Sequence, residues 1–203
     1  MPMKHNKYNS SLIRCLLITG MLLTNNAAAA EQEYDIEVVI IEDISGRYSK
    51  SENWPIIPEE YASTSTTPSD IKQNQNEKRI KYLADTSFKL NDEVKRIEDS
   101  KEYKVLLHTA WRQTGLDKQA AFPVHITTNN PDSNSAGSYI EGDITLVMSR
   151  YLHVSGDLTY YKEGNGSYVP YPVKFDRRMK SRETHYIDHP MIGILVLTTP
   201  ISR

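Results

Sequence analysis

Two neighbouring stretches decide the fold of this chain: Gly142-Asp143-Ile144-Thr145-Leu146-Val147-Met148-Ser149 and Leu152-His153-Val154-Ser155-Gly156-Asp157-Leu158-Thr159-Tyr160-Tyr161. Apolar and polar side chains alternate along both, which is the pattern of a β-strand with one buried face. We therefore predict a pair of strands. Gly164-Asn165-Gly166, which follows them, is predicted to be a turn.

Further strands are predicted on both sides of this pair. The predicted ranges are 33–42, 103–111, 122–127, 171–180 and 182–198. In the first range, Val39 and Ile41 make the second half apolar on both faces, so this strand is expected inside a sheet rather than at its rim. Gly193 lies in a run that is too apolar to be exposed.

A helical period replaces the alternation between residues 77 and 100. The apolar positions recur at steps of three and four residues, as one face of a helix requires. Asp85-Thr86-Ser87 favours a break, so we predict a weak helix before it and a firmer helix from about Lys89 to Asp99. The fold class predicted is α+β: mostly antiparallel β-sheet, one or two helices in the N-terminal half and a long polar loop.

The chain is predicted to divide into a signal peptide, residues 1–30, and a single domain, residues 31–203. The signal begins with Lys4, Lys7 and Arg14, continues with an apolar run and ends at an Ala-x-Ala site. A retained anchor would need about 20 apolar residues, and this run is roughly half that length. The domain is expected to contain a flexible excursion at about 45–76, rich in Ser, Thr and Pro, with Trp54 as an apolar anchor.

Charge and cysteine content exclude several functional classes. Loss of residues 1–30 removes three of the 24 basic residues and none of the 26 acidic ones, so the formal charge falls from −2 to −5. An acidic chain is a poor candidate for binding nucleic acid. The same cleavage removes Cys15, the single cysteine, and with it any disulfide, thiolate nucleophile or cysteine metal ligand.

One stretch contains the residue types of a metal site, His185-Tyr186-Ile187-Asp188-His189. On a helix His185 and His189 would share a face, as in zinc proteases. On the strand predicted here, four residues span about 13 Å, too far for both imidazoles to bind one zinc. We expect no metal and no cofactor. Ser69-Asp70-Ile71-Lys72 resembles a penicillin-recognising motif, but the accompanying elements are missing.

Tyrosines and arginines are the remaining candidates for ligand contact. Four tyrosines surround one predicted turn: Tyr160, Tyr161, Tyr168 and Tyr171. A tyrosine ring suits ligand contact, although tyrosine is equally a good strand former. Five basic residues follow closely: Lys174, Arg177, Arg178, Lys180 and Arg182. They either receive carboxylates or form a solvated strand edge.

Several longer motifs, taken in order, resemble the CsiV family of periplasmic peptidoglycan-binding proteins. The motifs are Tyr34-Asp35-Ile36-Glu37-Val38, Trp54-Pro55, His108-Thr109-Ala110-Trp111-Arg112-Gln113, Ser149-Arg150-Tyr151-Leu152-His153, Arg177-Arg178-Met179-Lys180-Ser181 and Glu183-Thr184-His185-Tyr186-Ile187-Asp188-His189-Pro190. The resemblance implies a periplasmic, non-enzymatic role in cell-wall synthesis and cell shape. The partners implied are peptidoglycan and an outer-membrane lipoprotein that activates a class A penicillin-binding protein.

For ligand contact the sequence favours Arg177, Arg178 and Tyr186, which are expected on facing segments of one hairpin. Trp111 and Arg112 are also candidates, although neighbours on a strand point to opposite faces. Two alternatives remain open. One is a metal-dependent cell-wall hydrolase that uses His185, Asp188 and His189, and the other is a structural envelope protein without glycan contact.

Overall fold

The structure, a computed structural model, describes residues 32–45, 76, 78–128, 137–164 and 167–202. The strands among them are β1 (Glu33–Asp43), β2 (Lys81–Tyr82), β3 (Tyr103–Thr114), β4 (Pro123–Thr127), β5 (Tyr139–Met148), β6 (Leu152–Gly164), β7 (Ser167–Met179), β8 (Thr184–Asp188) and β9 (Ile192–Pro200). A 3-10 helix spans Asp85–Ser87, and the one α-helix among the described residues, α1, spans Asn91–Glu98. The predicted signal peptide and nearly all of the predicted excursion lie outside the described residues.

The strands form two sheets in which every pairing is antiparallel. The five-stranded sheet has the order β2-β3-β1-β9-β8, and the four-stranded sheet has the order β4-β5-β6-β7. A mostly antiparallel β fold was predicted and is confirmed. The strands divide between two sheets because the chain crosses from one sheet to the other after β3 and again after β7.

The buried inner faces of the two sheets pack on each other. Ile36, Trp111 and Ile194 of the five-stranded sheet and Ile144 and Leu158 of the four-stranded sheet belong to one apolar cluster, and each is at most 1% exposed. The alternation that predicted β5 and β6 arises from this packing, because every second side chain of those strands enters the core.

β1 lies in the middle of the five-stranded sheet, between β3 and β9, as its apolar second half predicted. Val38 and Ile40 enter the core between the sheets. Val39 and Ile41 lie on the opposite face, beneath α1, where they pack with Leu90. Because both faces are covered, the strand is apolar without interruption from Val38 to Ile41.

A β-bulge changes the direction of the side chains along β3. Ile40 is opposite Leu107, whereas Ile41 is opposite Val105, so Leu106 has no partner position in β1. The extra residue shifts the alternation by one position. Val105 therefore packs on the helix side, whereas Trp111, further along the strand, points into the core.

The start of α1 is held by Glu37, a buried carboxylate on β1. Its oxygens accept hydrogen bonds from the backbone N–H groups of Lys89 and Leu90 at 2.8 and 2.9 Å. His108 Nε2 lies 2.8 Å from Glu37 Oε1. Lys89 and Leu90 directly precede Asn91, the first residue of α1, so this carboxylate ties the segment that enters the helix to the neighbouring sheet and places a negative charge near the helix N-terminus.

The weak helix predicted before Asp85 was wrong. Lys81 and Tyr82 form β2, which pairs with Arg112 and Trp111 at the edge of β3. The spacing of apolar residues there is helical, but pairing with an exposed strand edge satisfies the backbone as well as a helix would. None of the helices among the described residues is long and apolar enough to span a bilayer.

Candidate functional site

The outward side of the four-stranded sheet, which we call the open face, consists mostly of half-buried and exposed polar side chains. Three contacts cross its strands: an ion pair of Lys174 with Asp157 at 3.0 Å, and two histidine–carboxylate contacts, His125 with Asp143 at 3.1 Å and His153 with Asp176 at 3.4 Å. Exposed pairs of this kind add little stability, because water screens them. The arrangement of side chains on this face is therefore set by strand register rather than by these contacts.

One end of the open face carries an aromatic ring flanked by two arginines. Tyr151, in the turn between β5 and β6, is 40% exposed. The guanidinium carbon of Arg178 lies 3.4 Å from the centre of its ring, and that of Arg150 lies 5.6 Å away. We call Arg150, Tyr151 and Arg178 the Tyr151 cluster. Cation–π contact holds the arginine against the ring and leaves its N–H donors to other partners.

The opposite end of the open face carries three tyrosines, which we call the tyrosine trio: Tyr139, Tyr161 and Tyr168. The rings of Tyr139 and Tyr161 are stacked at 4.4 Å with an interplanar angle of 10°. Tyr168 meets Tyr139 edge-on at 5.0 Å and is 42% exposed. The Tyr161 hydroxyl donates to Glu141 at 3.1 Å. Burial, followed by the negative charge of Glu141, raises the pKa of Tyr161 to about 12.

The structure separates the residues that were expected on one hairpin. Arg177 and Arg178 lie on β7 in the four-stranded sheet, whereas Tyr186 lies on β8 in the five-stranded sheet. The hairpin expectation was wrong, because the chain changes sheets between β7 and β8. Arg178 is opposite His153 on the open face, while Arg177 is opposite the core residue Val154 and starts from the other side of the strand.

Tyr186 lies on the helix side of the five-stranded sheet. Its ring covers Gly193, where a Cβ atom would come within 2.7 Å of it, and its hydroxyl donates to Asp188 at 3.2 Å. Burial, then the charge of Asp188, raises the pKa of Tyr186 to about 12. Tyr186 is opposite Leu195, which helps to line a groove of about 330 Å³ beside α1.

Trp111 and Arg112 both have partners within the protein. Trp111 is 0% exposed, and its indole N–H donates to Gln113 Oε1 at 2.7 Å. Arg112 points to the opposite face and forks onto Asp35, at 2.7 Å from Nε to Oδ1 and 3.0 Å from the second guanidinium nitrogen to Oδ2. In this arrangement Trp111 presents no ring surface to a ligand, and Asp35 engages two of the donors of Arg112.

The metal pattern lies on a strand as the sequence predicted, except for His189, which comes directly after it. His185 is on β8, and its Nε2 accepts a hydrogen bond from the backbone N–H of Lys180. His189 follows the strand, and its Nδ1 accepts one from the N–H of Met191. Within the described part of the chain, no three His, Cys, Asp or Glu side chains are grouped closely enough to hold a metal ion.

Comparison with known families assigns the chain. The family model described as the peptidoglycan-binding protein CsiV matches residues 12–201. The chain belongs to the CsiV family. No curated protein and no solved structure matches it.

In this CsiV-family chain, two motifs that carried the resemblance come together in space. Residues 149–153 and 177–181 are neighbours because Leu152 pairs with Met179 and His153 with Arg178. Sequence reasoning selected Arg178 but missed Tyr151, its ring partner. The antiparallel pairing of β6 with β7 was the signal that would have joined them. Tyr161 and Tyr168 were noticed only as tyrosines near a turn, without Tyr139, because the stacking of Tyr139 on Tyr161 depends on the register of β5 and β6.

Proposed function

We propose that this protein is a non-enzymatic periplasmic protein that binds peptidoglycan through the open face. Export would remove residues 1–30. In the wall it would support synthesis and cell shape together with an outer-membrane lipoprotein that activates a class A penicillin-binding protein. Membership of a family described as peptidoglycan-binding supports the ligand. The observation that carries the choice of surface is the stacking of Arg178 on the exposed ring of Tyr151.

The chemistry of the Tyr151 cluster suits the stem peptides of peptidoglycan, which end in carboxylates. A guanidinium group binds a carboxylate with two parallel hydrogen bonds. The Tyr151 ring holds Arg178 in place, so less side-chain entropy is lost when a ligand binds. Arg177, the next residue along β7, is exposed and adds positive charge at the same end of the strand.

Long-range attraction contributes little to this binding. The chain without residues 1–30 has a formal charge of −5, and the wall carries carboxylates of the same sign. Only the local arginine contacts are attractive, and salt screens contacts of this kind when they are exposed. Added salt is therefore expected to weaken binding partly rather than abolish it.

Co-sedimentation with purified sacculi tests the proposal. The protein beginning at Glu31 should pellet with sacculi and release no soluble muropeptides. Arg178→Ala should lower its affinity about tenfold or more, because it removes charge-assisted hydrogen bonds. Arg96→Ala, which removes the same charge from the exposed side of α1, should bind like the unmodified protein. Failure to sediment at low salt contradicts the proposal.

The hydrolase alternative uses His185, Asp188 and His189 and predicts a different result. His185→Ala and His189→Ala should leave sedimentation unchanged if the imidazoles serve the backbone contacts described above. Release of muropeptides by the unmodified protein, lost in either variant while its melting temperature stays the same, would establish the hydrolase instead. The partnership rests on the resemblance alone, and a pull-down with the purified lipoprotein activator tests it separately.

A further inference from the structure

The tyrosine trio lies on the same face as the Tyr151 cluster but far from it. Tyr151 and Tyr161 are ten residues apart along β6 and its preceding turn. At roughly 3.3 Å per residue this places them about 33 Å apart. Tyr161 and His153 both point outward, because Tyr160 and Leu152, their neighbours along the strand, are buried. The open face therefore has an aromatic group at each end.

The two ends differ in charge. The Tyr151 cluster contains Arg150 and Arg178, whereas the trio has carboxylates beside it. Glu141 accepts the hydroxyl hydrogen bond of Tyr161. Glu163 is opposite Tyr168 in the register of β6 and β7. Carboxylates at this end repel the acidic groups that the arginines attract, so the trio favours an uncharged ligand surface that can also donate hydrogen bonds.

We propose that the tyrosine trio is a second subsite, which binds the sugar rings of a glycan strand. This inference rests on the proposed function, since it assigns part of the same ligand to the far end of the open face. A pyranose ring has an apolar face that an aromatic ring covers and hydroxyl groups that donate to carboxylates. Tyr168 supplies an exposed ring, and Glu141 and Glu163 supply acceptors.

Packing within the trio prepares this surface. The stacked rings of Tyr139 and Tyr161 fix each other, and Tyr168 rests edge-on against Tyr139. The bond to Glu141 fixes the hydroxyl of Tyr161. Rings held in this way lose little conformational freedom when a ligand arrives, which raises affinity without requiring additional contacts.

Two subsites about 33 Å apart along one strand have a consequence for the length of the ligand. A single sugar–peptide unit reaches one subsite at a time, whereas an extended glycan strand with its stem peptides spans both. Binding at the first subsite raises the effective concentration of the second part of the ligand. The protein should therefore bind long strands much more tightly than their isolated repeating units.

The test uses two ligands, intact sacculi and chitohexaose, an uncharged β-1,4 oligomer of N-acetylglucosamine without peptides. Tyr168→Ala should weaken chitohexaose binding about three- to tenfold, the effect of one aromatic contact. Tyr168→Phe, which keeps the ring, should bind nearly normally. Arg178→Ala should weaken binding to sacculi and leave chitohexaose binding unchanged. Tyr82→Ala is the matched control, because Tyr82 is 55% exposed but lies on the five-stranded sheet.

The outcomes separate this inference from the proposed function. If the unmodified protein pellets with sacculi but has no measurable affinity for chitohexaose, the second subsite is refuted and peptidoglycan binding stands. An equal loss in Tyr82→Ala and Tyr168→Ala also refutes it, because any exposed tyrosine would then suffice. If the unmodified protein does not pellet with sacculi at all, the proposed function fails first. Circular dichroism melting of each variant identifies any loss that arises from unfolding.

Discussion

The two sheets of this protein are built from the same kind of antiparallel pairing, yet their surroundings differ. The middle of the five-stranded sheet is covered by α1 on one side and by the four-stranded sheet on the other. The four-stranded sheet has one face in the core and one open face. In the sequence this appears as the unbroken apolar run Val38-Val39-Ile40-Ile41 in β1, compared with the strict alternation of β6.

The difference indicates where side chains are available for function. A side chain in the middle of the five-stranded sheet is needed for packing whichever way it points. On the open face every second residue of β5, β6 and β7 lies outside the core and can change without disturbing it. The aromatic groups and arginines that we assign to ligand binding lie on that face.

The largest expected effect compares a core residue with an open-face residue. Ile194→Ala removes a side chain that is 0% exposed, between the two sheets, and should lower the free energy of unfolding by about 2–5 kcal/mol. Ser155→Ala, on the open face, should change it by less than about 0.5 kcal/mol. Urea denaturation followed by circular dichroism measures both. Similar losses in the two variants would show that the open face is covered in solution.

A smaller effect is expected from the hydrogen bonds that Glu37 on β1 accepts from the segment preceding α1. Glu37→Gln replaces a carboxylate, which accepts hydrogen bonds from two backbone N–H groups and lies beside His108, by an uncharged amide. The NH2 group of that amide is itself a donor and cannot accept these hydrogen bonds. We expect a loss of about 1–3 kcal/mol in the free energy of unfolding. Glu98→Gln on the exposed side of α1 should change it little. Equal stability of Glu37→Gln and the unmodified protein would mean that packing alone holds the helix.

The smallest effect is a pH dependence that involves one tyrosine from each sheet. The pKa values of Tyr161 and Tyr186 are raised to about 12, from about 10 in an unfolded chain. Between these two values the folded state keeps protons that the unfolded state loses. The stability that the two raised pKa values contribute is therefore fully present below about pH 10 and is lost as the pH rises to about 12. Tyr161→Phe and Tyr186→Phe should each reduce the slope of stability against pH in this interval. An unchanged slope in both would contradict the raised values.

Much of this fold follows from local pattern. The central position of β1 follows from its two apolar faces, and β5 and β6 follow from alternation. The bulge in β3 cannot be predicted in this way. Every second residue from Tyr103 to Trp111 would face the same side of a regular strand. In the structure, however, Tyr103 and Val105 lie on the helix side, whereas Trp111 points into the core between the sheets. An extra residue in a ladder is visible only when its partner strand is known.

The candidate site was predicted only in part, because its contacts also depend on which strands pair. Arg178 was selected because it belongs to a basic run, but its contact with Tyr151 depends on the pairing of β6 with β7. Tyr186 was grouped with the arginines because β7 and β8 are neighbours in the sequence. The change of sheet between them depends on how the whole core packs, and no local motif encodes it.

The position of β1 also determines when the protein can fold. β1 is the first described strand, but one of its two partners is β9, the last, and Glu42 pairs with Ile192. The five-stranded sheet therefore cannot close until the segment up to Pro200 has left the ribosome. Such distant pairing makes folding slow. A nascent chain of this design cannot complete its five-stranded sheet while it is being made, so the finished fold forms only after synthesis has passed the last of the described strands.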